Sequence, residues 1–137
     1  MTQTTVIKQA AGLVAAVLLL APWLGASADG EMTVNDGIYT AAQAESGKPL
    51  FEQRCSTCHN ADFYKGVLQG WNGQPVQYLI ETIMSSMPAD NPGSLFDNEY
   101  EQIMAYIFSI TGYPEGDSPL TYGSQALMNA KIAPATN

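Results

Sequence analysis

The chain has 137 residues, with five basic side chains against thirteen acidic ones and a formal charge of −8. Nucleic-acid binding needs clustered Lys and Arg and is excluded on that balance. The two cysteines and one histidine also fall short of the roughly four protein ligands of a structural zinc site, and the length holds one domain with a modest core.

The amino terminus predicts an export signal. Lys8 supplies positive charge, Ala10 to Leu24 is uncharged, Pro22 breaks the run, and Ala26-Ser27-Ala28 forms a small-x-small cleavage site. The rival reading is a retained anchor helix. It has only Ala10 to Ala26 available, at the short limit of a bilayer span, and Pro22 interrupts it. Cleavage after Ala28 is expected, which places the mature chain in the periplasm. Four basic residues (Lys48, Arg54, Lys65, Lys131) then face the same thirteen acidic ones, a formal −9. That charge serves either solubility or steering towards a basic partner surface.

Residues 29–40 have no apolar period and contain Gly30 and Gly37, which predicts a flexible leader. Gly47, Leu50, Phe51 and Arg54, spaced by three and four, predict a helix over 41–54. It runs directly into Cys55-Ser56-Thr57-Cys58-His59. C-x-x-C-H is the attachment pattern of c-type haem. Two thiols one helical turn apart can each form a thioether with a haem vinyl group, and the next residue then lies under the iron as the proximal ligand. His59 is the only histidine available for that place. A redox disulfide of the thioredoxin kind would need a βαβ pattern around the motif, and none is present.

Glycines 66, 70 and 73 predict a loop over 60–73, folded across the haem edge. Pro75 suits the first position of a helix reaching about Ser85, with Val76, Leu79, Ile80 and Ile83 as its buried stripe. Met87 to Leu95, with Pro88, Pro92 and Gly93, should be irregular. The clearest helix spans Asn98 to Thr111. Asn98 and Glu101 form a capping pattern, Ile103, Tyr106, Ile107 and Ile110 mark the apolar face, and Gly112 and Pro114 end it. From Glu115 onward the patterning is weak, which predicts a peripheral or disordered tail, and no segment reads as a strand.

A one-electron carrier is served best by an iron closed on both faces. With a single histidine, the sixth ligand falls to a methionine thioether. Met32 and Met128 lie in poorly patterned ends, and Met104 sits in the last helix as a packing residue. Met84 lies within the middle helix. Met87 follows that helix and precedes Pro88, which restricts it to an extended backbone. Met87 is the expected ligand and Met84 the runner-up.

From Ala42 to Gly116 the chain resembles the class I cytochromes c. Gln43 to Phe51 is similar to the family's amino-terminal helix, Gly47 and Phe51 fall where that helix crosses the last one, and Tyr106 resembles the aromatic partner across the crossing. Met87-Pro88, Pro92-Gly93-Ser94-Leu95, Tyr100, Ala105-Tyr106-Ile107 and Gly112-Tyr113-Pro114 resemble a short bacterial subgroup. Members of that subgroup often partner periplasmic quinoprotein dehydrogenases. Trp71 is similar to a tryptophan the subgroup carries near the haem edge, which implies a cofactor contact there. Two departures stand out: Phe96-Asp97 replaces a small hydroxyl cap, moving the cap to Asn98, and 60–74 lacks the proline-rich stretch that shields the histidine side.

The resemblance implies an all-α class I cytochrome c fold, about three to four helices wrapped around one covalent haem c. Together with the segments read above, the expected layout is a signal at 1–28, a flexible leader at 29–40, the cytochrome c domain at 41–116 and a peripheral or disordered tail at 117–137. Cys55 and Cys58 would hold the haem, with His59 and Met87 on the iron. The function expected is a periplasmic electron carrier, not an enzyme in its own right. Its partners would be redox proteins: a periplasmic dehydrogenase as donor, and an oxidase or another cytochrome as acceptor. The alternatives are a haem-bearing subunit of such a dehydrogenase and a haem gas sensor or peroxidase. The last of these needs an open sixth position.

Overall fold

A computed structural model describes residues 30–136. The expected signal segment and its cleavage site lie outside the described residues. Among those described there are five α-helices and no strand: α1 (Ala41–Arg54), α2 (Ala61–Gly70), α3 (Val76–Ser86), α4 (Asp97–Ile110) and α5 (Gln125–Asn129). None of these helices is long and apolar enough to cross a membrane.

Helix α1 is capped at both levels that its sequence offers. The Thr40 hydroxyl accepts from the Gln43 N–H at 3.2 Å, and the Gln43 side-chain amide oxygen accepts from the Thr40 N–H at 3.3 Å. One turn later Gly47 faces α4. A Cβ there would lie 1.8 Å from the Gln102 carbonyl oxygen, so the two helices cross with backbones nearly touching. Phe51 and Tyr106 pack at the same crossing with ring centroids 5.2 Å apart.

Helix α4 forms the centre of the domain through Ile103, Met104, Ala105, Ile107 and Phe108, all buried. Met104 is a core residue, in line with its position in the sequence pattern. The helix begins one residue earlier than expected, and Asn98 is not its cap. Glu99 supplies the acceptor instead, its carboxylate taking the Phe96 N–H at 2.8 Å, while Asp97 and Glu99 place negative charge at the positive end of the helix. Helix α3 starts at Val76 with Pro75 just before it, and buries Val76, Leu79 and Ile80.

The loop expected at 60–73 is largely helix α2. Asn60 caps it by accepting from the Phe63 N–H at 2.9 Å, and Tyr64 and Leu68 bury one face. Gly66 and Gly70 meet nothing within 4 Å, so they sit on the open side. Their helix penalty, roughly 1 kcal/mol each, is offset by burial of that aromatic and that leucine.

Both ends of the described chain are packed, in contrast to the loose leader and tail that the patterning suggested. Val34, Tyr39, Leu120, Leu127, Ala130 and Ile132 are all buried. The ends are also hydrogen-bonded to each other: Val34 N–H donates to the Lys131 carbonyl at 3.0 Å and Lys131 N–H to that of Met32 at 2.9 Å. Gln43 clasps Leu120 through both backbone groups at 2.8 Å, and the Tyr39 hydroxyl donates to the Tyr113 carbonyl at 2.7 Å. Isolated apolar residues between polar ones bury well here without making any helical or strand period.

Candidate functional site

The C-x-x-C-H segment is shaped by the end of α1. Cys55 N–H still donates to Phe51 at 2.8 Å, after which Cys58 and His59 N–H both turn back onto the Cys55 carbonyl at 3.1 and 3.0 Å. This tight turn brings Cys55, Cys58 and His59 to one cleft. Both cysteines are free thiols rather than a disulfide. Burial pushes the Cys55 thiol above its ordinary value, with the neighbouring Arg54 charge working in the other direction.

The opposite side of the cleft comes from the segment after α3. Met87 and Pro88 line it, and Met87 has the extended backbone expected before proline, φ −127° and ψ 154°. Met87 is also tied down through its backbone. Its N–H donates to Ile83 at 2.8 Å, and its carbonyl accepts from the Tyr100 hydroxyl at 2.7 Å and the Gly93 N–H at 3.3 Å. Of the methionines, only Met87 lines the cleft among the described residues. Met84 is half-buried against the core, and Met32 and Met128 are exposed.

The walls between are apolar: Ile83 from α3, Leu95, and Ile103 and Ile107 from α4. The space they enclose is about 510 Å3, part of it open to solvent. Arg54 lies at the cleft and pairs loosely across to Asp90 at 3.9 Å, a partly solvated contact worth little in stability.

On the histidine side, α2 takes the role of the missing proline-rich stretch. Phe63 stacks on the His59 ring at 4.3 Å with a 24° tilt, and Tyr64 meets it edge-on at 5.6 Å. The His59 Nδ1 is buried and has no hydrogen-bond partner among the described residues. Aromatic packing, rather than a carbonyl acceptor, therefore holds the imidazole. Burial, and secondarily Cys55, raise the Tyr64 hydroxyl far above its ordinary value, so it stays neutral.

These residues fit a c-type haem. Two free thiols one turn apart, an imidazole beside them and a thioether facing from another segment share one apolar slit. Trp71 does not line it; it ends α2 and packs half-buried against the core. A roomier cavity bordered by Lys65, Asn72, Thr111 and Tyr113 holds no thiol, imidazole or thioether.

Tyr64, Leu95 and Tyr100 also line the cleft, beyond the site residues expected from the sequence. Tyr100 had a signal: it stands three residues before Ile103 and seven before Ile107, on the stripe of α4 that faces the cleft. Tyr64 and Leu95 had none, because the segments around them carry glycines and prolines.

Residues 42–107 match a family model described as cytochrome C oxidase, cbb3-type, subunit III. No curated protein and no solved structure matches the chain.

Proposed function

The chain is a class I cytochrome c-like protein, and from that premise we propose that it is a periplasmic electron carrier with one haem, closed by His59 and Met87. The observation that carries this reading is the convergence of Cys55, Cys58, His59 and Met87 on a single apolar cleft. When bound there, a covalent haem supplies reversible one-electron chemistry. The protein supplies the rest. Cys55 and Cys58 anchor the group through thioethers, Phe63 and Tyr64 fix the plane of the His59 ring, and Ile83, Leu95, Ile103 and Ile107 exclude water from the iron's surroundings. A dry site with two fixed ligands keeps rearrangement small between oxidation states.

Export with cleavage after Ala28 completes the proposal, since thioether attachment follows transport of the unfolded chain. The donor would be a periplasmic dehydrogenase of the quinoprotein type and the acceptor an oxidase or a second cytochrome. A second reading, a fixed electron-relay subunit, is favoured by the matched family's description as an oxidase subunit. Intact-mass analysis of the exported protein tests the central assignment. One haem added to a chain beginning at Asp29 supports it, and an unmodified chain overturns it. Co-purification with a large redox partner distinguishes the subunit from the free carrier.

A further inference from the structure

The hydroxyl of Tyr100 reaches from the first turns of α4 to the carbonyl of Met87 at 2.7 Å, and the tyrosine is otherwise buried, 2% exposed, with its ring on the cleft. We propose that Tyr100 is a positioning residue for the sixth ligand: it latches the arm carrying Met87 onto α4 and so holds the thioether over the iron. The proposal rests on the reading that Met87 is that ligand.

Three features carry the argument. First, Met87 has left α3, so the Ile83 bond is the only helical one it retains. Second, its carbonyl accepts two hydrogen bonds, and the Gly93 N–H at 3.3 Å belongs to the same arm, the turn through Pro88, Pro92 and Gly93, so that bond closes the turn on itself. Only the Tyr100 bond ties that carbonyl to a different helix. Third, α4 is locked to α1 by the Gly47–Gln102 approach and the Phe51–Tyr106 contact, and α1 ends in the C-x-x-C-H turn. One helix thus sets the register of the histidine side and, through Tyr100, of the methionine side. A latch that loosens lets the thioether leave more of the time, and an outside ligand then competes better, because its apparent affinity scales with the open fraction.

The test is an imidazole titration of the oxidised holoprotein, followed by its visible spectrum. Tyr100→Phe keeps the ring and removes one hydrogen bond, so the apparent dissociation constant for imidazole should fall by roughly two- to tenfold. Tyr39→Phe is the control. It removes a hydroxyl bond of the same length from a similarly buried tyrosine, to the Tyr113 carbonyl at 2.7 Å, at residues that do not line the cleft. It should lower thermal stability comparably and leave imidazole affinity unchanged. If Tyr100→Phe binds imidazole as the parent does, or Tyr39→Phe tightens it equally, the latch is overturned. Met87→Ala separates this failure from that of its premise. A marked tightening there upholds Met87 as ligand whatever Tyr100 does, whereas no change in Met87→Ala removes the ligand and the latch together.

Discussion

Gly47 of α1 and Gln102 of α4 approach so closely that a Cβ on the glycine would stand 1.8 Å from the glutamine's carbonyl oxygen. The carbonyl is backbone, so it cannot swing aside. The two helices must separate to admit even a methyl group, and the end of α1 carries Cys55, Cys58 and His59. Gly47→Ala should therefore cost about 3 kcal/mol or more, at the upper end of what overpacking does. Urea denaturation of the holoprotein reads this as a lowered midpoint. Gly66→Ala is the counter-case: nothing lies within 4 Å of the added carbon, and the site is helical, so stability should rise by roughly 0.5–1 kcal/mol.

Met84 and Met87 are three residues apart and differ in surroundings. Met84→Leu, a volume-conserving change at a half-buried packing position, should cost under about 1.5 kcal/mol and leave the haem spectrum intact. Met87→Ala should open the sixth position to carbon monoxide in the reduced protein. Parallel spectra of the two variants check the pair.

Tyr39 and Tyr113 both have hydroxyls whose ionisation burial pushes above the ordinary value of 10.0. A raised folded-state value means that the native protein holds these protons more tightly than the unfolded chain. The associated stability is fully present below about pH 10, and is lost as pH rises through the higher folded values. Unfolding free energy should thus decline on the alkaline side, and Tyr39→Phe should show a shallower decline. Denaturant midpoints measured from pH 8 to 11 report both.

With four basic side chains against thirteen acidic ones from Asp29 onward, association with a basic redox partner should be steered electrostatically. The second-order electron-transfer rate is expected to drop on the order of tenfold as salt rises from low to above physiological strength. Stopped-flow measurement against such a partner would show it, and a flat salt profile would leave the acidic surface to solubility alone.

The parts of this fold that were legible in advance announce themselves by spacing. C-x-x-C-H names its chemistry, Gly47 and Phe51 sit one turn apart on α1, and Ile103 and Ile107 draw the stripe of α4. Met87 stood out because proline follows it. Helix α2 was hidden by Gly66 and Gly70, which count against a helix locally even though Tyr64 and Leu68 bury the face that stabilises it. The packed ends were hidden for another reason. Leu120, Leu127 and Ile132 fill sites created by α1, α3 and the loop before α3, and no local period encodes a contact with residues that far away. Tyr100 lay in between. Its place on the α4 stripe was readable, but its hydroxyl partner on Met87 depends on the tertiary turn that brings the two segments together.

The visible spectrum of the reduced parent protein, taken before and after adding carbon monoxide, tests the central claim most directly. An iron closed by His59 and Met87 predicts an unchanged spectrum. Conversion to a carbonyl-bound spectrum would contradict the closed site, and with it the electron-carrier account, in favour of a haem that binds or transforms a ligand.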